Sequence, residues 1–455
     1  MKKLFGTDGI RGKAGEFPLD TTTVRVIGRS LAQHLEENAG KNPRMVIGRD
    51  TRESGSWIEE ALIAGAHEAG AQVKSAGVIT TPGVAFLARS LPADAGVVIS
   101  ASHNPYYDNG IKIFQPSGRK LDDAVERQIE ADIANSEESA ASDDDDASQT
   151  MSSDEAAELQ TRYVNSLTKE VAHDLSLTNL KIVTDCANGA AYQIAPEVFR
   201  HLGANVVAIN DQPDGHNINL NCGSLHIESL QERVVAERAD LGVAFDGDAD
   251  RALFVDSDGK FVDGDATLWV LANDFRARDE LPGDTVVATV MSNIGLELAF
   301  REQGIGLTRT DVGDKYVLEE ILRSGAALGG EQSGHIIFPK ISLAGDGIIT
   351  AILLLQAMQR RKQSLSDLTR GFQRYPQLLV NVRVSEKTPF EDLPSVKRAA
   401  REVQQSLNGR GRLLLRYSGT EPLARIMIEG EDETGIAAYA DTIAQAIQKE
   451  IGAES

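Results

Sequence analysis

Cysteine is scarce in this chain of 455 residues: only Cys186 and Cys222 are present, and no Cys/His spacing suits zinc. Two thiols cannot build the disulfide framework of a small secreted protein, so a reducing compartment, the cytoplasm, is predicted. The first residues include two lysines but no apolar segment typical of a secretion signal. The most apolar helix-like stretch, 348–358, is too short to span a bilayer. We therefore expect neither export nor membrane insertion.

Basic residues are also in short supply, since 46 Lys and Arg stand against 68 Asp and Glu and leave a formal net charge of −22. A strongly acidic chain is repelled by nucleic acid and by anionic membrane surfaces, so neither is expected as a partner. Nine of the acidic residues lie between Asn135 and Glu158, a stretch without Lys or Arg that is predicted to be a solvated loop.

Short apolar runs alternate with helical patterns along most of the chain, which predicts α/β domains with mixed or parallel sheets. The predicted strands include 45–48, 96–99, 180–185, 205–209, 241–245 and 285–290. The predicted helices include 56–69, 295–303, 314–323 and 346–362. After Pro376 the pattern restarts as strand 377–384, helix 393–407, strands 412–416 and 424–429, and helix 435–451. We predict four domains, at 1–157, 158–255, 256–370 and 371–455.

Three carboxylates at alternate positions follow the apolar strand 241–245, and these are Asp246, Asp248 and Asp250. Such a loop can direct three hard oxygens at one divalent cation. A calcium-binding EF-hand is excluded, because Arg251 stands at its sixth position in place of Gly and Ser257 at its twelfth in place of Glu. A nucleophilic aspartate of the phosphatase type, or acids that merely cap a turn, stay open as alternatives.

A second loop, Ser100–Pro105, leaves the apolar strand 95–99 and presents Ser102 beside a histidine. No G-x-S-x-G sequence surrounds this serine, so a hydrolase nucleophile is poorly supported. A phosphorylated serine carries a charge of about −2 and three acceptor oxygens, which would complete the shell of a cation held by the aspartates. Lys112 lies on the apolar strand that follows, and its side chain is predicted to point into the same site.

Several further stretches place basic or hydroxyl side chains beside glycines, which favours binding of an anion or a sugar. These stretches are 5–12 with Arg11, 48–52 with two arginines, 329–335 with His335, and 416–422 followed by Arg425. An ordinary hairpin turn is the alternative for 416–422.

Taken in chain order, the motifs SASHNP, DGDADR, GEQSGH and RYSGTEP resemble the serine, metal, sugar and phosphate loops of the α-D-phosphohexomutase superfamily. The likeness runs from FGTDGIRG at residue 5 to the C-terminal domain. Stretches such as NCGS at 221 and VGDKY at 312 are most similar to the bacterial branch that acts on glucosamine phosphates.

The resemblance implies an α/β fold with three α/β domains of mixed sheets and a smaller C-terminal two-layer α+β domain around a central cleft. The implied reaction interconverts glucosamine 6-phosphate and glucosamine 1-phosphate through a phosphoserine and a 1,6-bisphosphate, supplying precursor for UDP-N-acetylglucosamine and cell-wall synthesis. The alternatives are a phosphomannomutase/phosphoglucomutase of the same superfamily and a silent phosphosugar-binding protein. The resemblance also implies one Mg²⁺ per chain, a glucosamine or glucose 1,6-bisphosphate activator, a phosphosugar partner, and a monomer or homodimer.

The resemblance assigns roles to individual residues as well. Ser102 would carry the phosphoryl group and share a Mg²⁺ with Asp246, Asp248 and Asp250. Glu331 and Ser333 would hold two sugar hydroxyls. The phosphate that does not react would be bound by Arg416, Ser418, Gly419, Thr420 and Arg425. The reacting groups would be surrounded by Arg11, Lys112, Arg251 and His335. Lys112 and His335 are both candidates for proton transfer, and the sequence does not rank them. Tyr417 departs from the family pattern, which often has Pro there.

Overall fold

The computed structural model describes residues 3–6, 8–39, 42–136, 153–418 and 421–453. These residues divide into two units, one formed by Met1–Val290 with Arg309–Thr369 and the other by Met291–Thr308 with Arg370–Ser455. The first unit holds three α/β regions and the second holds the C-terminal sheet.

The first α/β region surrounds a mixed sheet with the strand order β1-β2-β6-β5-β3-β4. Its strands are β1 (Phe5–Gly6), β2 (Gly9–Lys13), β3 (Arg44–Arg49), β4 (Gln72–Val78), β5 (Ala95–Ile99) and β6 (Asp108–Phe114). Its helices are α1 (Thr21–Ala39), α2 (Gly55–Glu68), α3 (Thr81–Ser90) and α4 (Asp123–Asn135). Strand β5 is buried at every position and runs parallel to β3. The loops after β3 and β5 therefore leave the same edge of the sheet.

The second region has the strand order β11-β10-β9-β7-β8. Its elements are helix α5 (Ser153–Asn165), a π-helical turn (Ser166–Val171), β7 (Lys181–Asp185), α6 (Ile194–His201), β8 (Asn205–Ile209), a 3₁₀ turn (Gly223–Leu225), α7 (Glu228–Glu237), β9 (Leu241–Phe245), β10 (Ala252–Asp256) and β11 (Phe261–Val262). Strands β7, β8 and β9 are parallel, whereas β10 turns back antiparallel to β9. The aspartate loop is the connection between β9 and β10, at the carboxyl edge of the parallel strands.

The third region and the second unit alternate along the chain. The third region contains α8 (Gly264–Ala277), a 3₁₀ turn (Pro282–Asp284) and β12 (Thr285–Thr289). Helix α9 (Ile294–Glu302) belongs to the second unit, and β13 (Gly306–Thr310) leads back to the first. The third region continues with α10 (Asp314–Ser324), β14 (Gly329–Gly330), β15 (Ile336–Ile337), α11 (Gly347–Arg361) and α12 (Leu365–Leu368). Strand β12 is parallel to β14, and β14 is antiparallel to β15, so this sheet is mixed as well.

The second unit is a two-layer arrangement of helices on an antiparallel sheet with the strand order β16-β18-β17. Its remaining elements are β16 (Gln377–Arg383), a 3₁₀ turn (Phe390–Asp392), α13 (Pro394–Leu407), β17 (Arg412–Tyr417), β18 (Leu423–Glu429) and α14 (Glu433–Ile451). Val396, Ile426, Ile428 and Ile443 are fully buried in its core. The predicted fold class, three α/β domains with mixed sheets and a smaller C-terminal α+β domain, is confirmed.

The strands and helices named above as predictions are each confirmed to within two residues. The predicted loop at 135–158 is wrong at its C-terminal end, because α5 already begins at Ser153 with Asp154 and Glu155 in its first turn. Acidic residues suit that position since they complement the positive end of the helix dipole. Residues 137–152, the rest of that prediction, lie outside the described part of the chain. Among the described residues, no helix combines the length and the apolar character needed to cross a membrane.

Candidate active site

The aspartate loop forms a compact buried group of oxygens. Asp246, Asp248 and Asp250 each offer one carboxylate oxygen, and these oxygens lie within 4.8 Å of one another. A left-handed residue, Ala249 with φ of 56°, lets the loop turn so tightly. One oxygen of Asp248 and one of Asp250 are buried without a hydrogen-bond partner. Three hard oxygens so close together, on residues of which two also carry an unpartnered buried oxygen, fit a divalent cation such as Mg²⁺.

Without a bound cation, the neighbouring carboxylates of this loop disfavour one another's ionisation. Burial raises the pKa of Asp246 well above its usual range, and the carboxylates of Asp250 and Asp248 raise it further. Burial acts on Asp250 in the same direction, but Lys112 and His335 outweigh it and hold the pKa of this carboxyl well below its usual value. Like charges so close together cannot all ionise freely unless a cation neutralises them.

Ser102 meets this loop although 144 residues separate it from Asp246 in the chain. Its hydroxyl donates a hydrogen bond of 2.5 Å to Oδ2 of Asp246. The residue is 1% exposed and has a φ of 52°, in the left-handed region that serine rarely adopts. Gly247 lies against the same loop, since a Cβ at this position would be 2.5 Å from the carbonyl oxygen of Ser102. The serine and aspartate loops are therefore in direct backbone contact.

Lys112 provides a fully buried cation beside the carboxylates. Its Nζ donates to Oδ2 of Asp248 at 2.8 Å and lies 3.0 Å from Oδ2 of Asp8 and 3.7 Å from Oδ2 of Asp250. Burial lowers the pKa of this lysine, but the three carboxylates outweigh burial and raise it well above the usual value. Arg11 forms an ion pair with Asp8 and so joins the same network.

His335 and Arg251 approach Asp250 from two other directions. The Nδ1 atom of His335 lies 3.6 Å from Oδ2 of Asp250, and Nε of Arg251 lies 3.8 Å from Oδ1. Burial lowers the pKa of His335, but the charge of Asp250 prevails and raises it to about 9. Gly345 makes room for the histidine ring, because a Cβ there would lie 2.4 Å from Nε2.

The predicted sugar loop, Gly329–His335, borders this group. Glu331 and Ser333 are half-buried, and Oε1 of Glu331 accepts a hydrogen bond of 3.2 Å from the backbone N–H of Gly313. A cavity of about 360 Å³ opens beside it, and its lining includes Asp8, Lys112, Lys120, Asp250, Asp314 and His335. Its volume lies at the lower end of the range common for small-molecule sites.

The predicted phosphate loop lies in the second unit. Arg416 and Arg425 are directly opposite each other on the paired strands β17 and β18. Arg425 donates to Ser418 at 3.4 Å and to Glu421 at 3.2 Å. Like charges facing each other across strands are unfavourable, so a bound anion would stabilise this Arg–Arg pair. Gly419 and Thr420 lie outside the described residues.

Models of the phosphoglucomutase/phosphomannomutase family match nearly the whole chain: α/β/α domain I at 2–140, domain II at 161–259, domain III at 263–375 and the C-terminal domain at 379–446. The chain belongs to the phosphoglucomutase/phosphomannomutase family. The exact boundaries at 157, 255 and 370 stay a prediction for this phosphohexomutase.

Comparison with individual proteins narrows the assignment within this family. It is 51% identical over 99% of both chains to a phosphoglucosamine mutase of Solibacter usitatus. Among solved structures it is similar to a phosphoglucomutase/phosphomannomutase family protein of Burkholderia thailandensis, with a TM-score of 0.77 and 24% identity over 99% of this chain and 98% of that one. It is also similar to an N-acetylphosphoglucosamine mutase of Aspergillus fumigatus in complex with GlcNAc-6P and magnesium, with a TM-score of 0.63 and 18% identity over 98% and 95%. The chain is thus assigned to the phosphoglucosamine mutase branch of the phosphohexomutases.

The structure adds residues to this phosphohexomutase site that the motifs did not indicate. Asp8 bridges Lys112 and Lys120, and Thr81 donates from its hydroxyl to Oδ2 of Asp248 at 2.6 Å. The anion-binding reading of 48–52 is wrong for Arg52, because this side chain is buried behind the serine loop and bonds to its carbonyls. Asp8 sits inside FGTDGIRG, so that motif carried a signal that could have found it. Thr81 follows a strand without any functional motif, so the sequence offered no signal for this residue.

Proposed function

We propose that this phosphohexomutase interconverts glucosamine 6-phosphate and glucosamine 1-phosphate. The observation that carries the proposal is the hydrogen bond of 2.5 Å from the Ser102 hydroxyl to Asp246, inside a set of three buried carboxylates. The choice of an amino sugar is supported by the 51% identity to a phosphoglucosamine mutase over 99% of the chain. The two cysteines, both buried and free, suit the reducing cytoplasm in which UDP-N-acetylglucosamine precursors for the cell wall are made.

The proposed metal is one Mg²⁺, held by Asp246, Asp248 and Asp250 with an oxygen of phosphorylated Ser102. When bound, Mg²⁺ withdraws charge from the phosphoryl group that is transferred. The neighbour from Aspergillus fumigatus is described with magnesium, which supports this choice. Thr81 and Lys112 both donate to Oδ2 of Asp248, and these two bonds orient the carboxylate.

Transfer begins with phosphorylated Ser102 and a sugar monophosphate. The bond from phosphorus to Oγ of Ser102 breaks as a new bond to a free sugar hydroxyl forms, giving a 1,6-bisphosphate. The proton of the sugar hydroxyl passes to Lys112 or His335 in its neutral form, and Oγ of Ser102 takes up a proton as it leaves, so the serine ends as a free hydroxyl. The bisphosphate then turns end for end, and its other phosphoryl group returns to Oγ of Ser102. A glucosamine or glucose 1,6-bisphosphate can load an unphosphorylated enzyme by the same transfer.

Positive charge around the serine makes this exchange feasible. At an effective dielectric constant of 20, one unit charge pair at 4 Å contributes about 4 kcal/mol, so several cations are needed beside three carboxylates and a phosphoserine. Neighbouring carboxylates raise the pKa values of Lys112 and His335, so the one of the two that does not exchange the proton contributes positive charge near neutral pH. Arg11 and Arg251 complete this positive set around the transferred group.

The end of the substrate that does not react needs a binding site of its own. Glu331 and Ser333 are proposed to bind two sugar hydroxyls, since a carboxylate and a hydroxyl accept and donate as those groups require. The second phosphate is proposed to lie between Arg416 and Arg425 at the turn that contains Ser418, Gly419 and Thr420. Because both substrate orientations leave one phosphate unreacted, this anion site serves both halves of the reaction.

Turnover of the 6-phosphates of glucosamine, glucose and mannose tests the proposed substrate. We expect kcat/KM to be highest for glucosamine 6-phosphate. A preference for mannose or glucose would instead make the chain a phosphomannomutase/phosphoglucomutase. Incubation with radiolabelled glucose 1,6-bisphosphate is the second arm, since an enzyme acquires label on Ser102 and a silent binding protein does not. A Lys112→Met and His335→Gln pair, compared by their pH–rate profiles, decides which group accepts the proton.

A further inference from the structure

Arg52 is a fully buried charged side chain for which the proposed chemistry has no use. It lies on the loop after β3, and it is the largest side chain in the described part of the chain that is almost completely shielded from water. A buried guanidinium persists only when its donors are paired. Its Nε donates to Oδ2 of Asp50 at 2.9 Å, and both side chains of this ion pair are 0% exposed.

The other donors of Arg52 all reach the backbone of the serine loop. Nη2 donates to the carbonyl oxygens of Ser102 and Asn104 at 2.9 Å each, and Nη1 donates to that of Pro105. Asn219, from the second α/β region, donates its Nδ2 to the first two of these carbonyls at 2.9 and 3.1 Å. Four guanidinium bonds are thus committed within the protein, which leaves Arg52 unsuited to binding a phosphate.

The nitrogen side of Ser102 is fixed through the same ion pair. The Ser100 hydroxyl donates to Oδ2 of Asp50 at 2.6 Å and accepts the backbone N–H of Ser102 at 3.0 Å. Both the N–H and the C=O of Ser102 are therefore connected to the Arg52–Asp50 pair. Left-handed backbone at a serine is strained, and such strain survives only where surrounding contacts over-determine it.

We propose that Arg52 is a positioning residue that holds Ser102 in its left-handed conformation. In this conformation Oγ of Ser102 faces Asp246, both as a free hydroxyl and when it carries a phosphoryl group. This inference rests on the proposed function, because it concerns the same serine. Arg52 touches neither phosphate nor substrate and acts only through the loop backbone. A displacement of the reacting oxygen by 1 Å can cost about 100-fold in rate, so a clamp of this kind matters for transfer more than for binding.

Arg52→Lys is the decisive variant. It keeps the charge beside Asp50, but one ammonium group cannot reproduce a planar fork directed at three carbonyls and a carboxylate. Arg360→Lys is the matched control, because Arg360 also pairs with a buried carboxylate, that of Asp274 at 2.6 Å, but does so in the third α/β region. Asn219→Ala is the second test variant, since it removes two of the five donor contacts to the loop carbonyls and leaves the buried ion pair intact.

The measured quantity is the rate at which saturating radiolabelled glucose 1,6-bisphosphate phosphorylates Ser102, together with kcat and KM for glucosamine 6-phosphate and the melting temperature. We expect Arg52→Lys to slow labelling and kcat about 50-fold while KM changes less than about 3-fold. Asn219→Ala should slow both about 5-fold, and Arg360→Lys should leave both unchanged.

Wild-type labelling rates in Arg52→Lys and Asn219→Ala would overturn the inference, as would equal losses in Arg360→Lys. If Arg52→Lys does not fold, the outcome for Asn219→Ala decides alone. Absence of label in the wild-type protein would overturn the proposed function itself, and the inference with it, which distinguishes the two failures.

Discussion

The serine loop of the first unit and the arginine pair of the second are stabilised in opposite ways. The backbone around Ser102 is held by Arg52 and Asn219 through bonds of 2.9–3.1 Å. Arg416 and Arg425 instead face each other across two strands, and Arg425 reaches its partners at 3.2 and 3.4 Å. Under the proposed function, the serine whose bonds are made and broken is fixed before the substrate arrives, whereas the arginines proposed to bind an anion keep a like-charge pair that the anion would neutralise.

The largest effect is expected at the centre of the rigid loop. Ser102→Ala removes the atom that carries the phosphoryl group, so turnover should fall at least about 10⁴-fold while the melting temperature stays within a few degrees. Coupled turnover assays and thermal unfolding measure both quantities. Ser117→Ala, at an exposed turn, is the control and should keep full activity. Substantial turnover by Ser102→Ala would exclude phosphoserine chemistry. The serine loop could then no longer be contrasted with the arginine pair as the reacting group.

A smaller effect is expected from weakening the carboxylate set. Asp248→Asn removes one negative charge and disturbs the bonds from Lys112 and Thr81, so the Mg²⁺ concentration for half-maximal activity should rise about 10–100-fold and kcat should fall with it. The control is Asp256→Asn, a buried carboxylate that accepts the N–H groups of Asp258 and Lys260. That variant should lose stability without a change in the metal titration. An unchanged titration for Asp248→Asn would contradict the proposed metal site.

Replacing one arginine of the pair is expected to weaken the binding of substrate without lowering the stability of the protein. Arg416→Ala removes a charge-assisted contact to phosphate, so KM for both phosphosugars should rise about 10-fold. It also removes cross-strand repulsion, so the melting temperature should stay constant or rise. Steady-state kinetics in both directions and thermal unfolding measure the two effects, with exposed Arg383→Ala on β16 as the control. A change in KM for one isomer alone would show that the site is not shared between the two orientations.

The smallest effect on activity is expected at a buried carboxylate that is proposed to touch neither substrate nor metal. Asp346 caps α11, and burial raises its pKa to about 6. The folded state therefore binds this proton more tightly than the unfolded state, so the stabilisation is complete below about pH 4 and is lost as the pH rises through 6. Relative to Asp346→Asn, the unfolding free energy of the wild type should fall by up to about 3 kcal/mol over this window.

Denaturant unfolding at pH 4, 5, 6 and 7 measures this difference. Asp432→Asn, which alters an exposed cap of α14, is the control and should show no such window. A flat difference between wild type and Asp346→Asn would mean that the carboxyl is ionised throughout. Activity at pH 7 should stay within about 2-fold, because Asp346 caps a helix and is proposed to touch no substrate.

Local patterns sufficed to predict the two central loops. Each follows a fully buried strand, but the two strands belong to different sheets. The meeting of Ser102 with the aspartates was therefore expected from the family resemblance and from the charge that a phosphoserine brings to a cation, not from sheet geometry. Lys112 was predicted to point inward, and it is buried against Asp248. The arginine pair could also have been found by counting the hairpin register from Tyr417 to Ala424.

Long-range backbone contacts could not be predicted in the same way. Arg52 looked like an anion-binding residue because an arginine beside glycine is typical of such sites, but charge alone does not tell whether a guanidinium faces a ligand or a carbonyl. Its partners lie 50–53 residues away, and Asn219 bonds to the loop over 115–117 residues. Composition likewise missed the first turn of α5, because Ser and Asp are common both in loops and at helix starts.

The contact between Gly247 and Ser102 limits how proteins of this kind can diverge. A Cβ on Gly247 would meet the Ser102 carbonyl, and a Cβ on Gly189 would lie 2.3 Å from the carbonyl oxygen of Gly247. Three main-chain segments thus meet without intervening side chains, and no single substitution there can adjust their spacing. We therefore expect a substitution at Gly189 or Gly247 to displace the serine loop, whereas exposed loops further away accept substitution at lower cost.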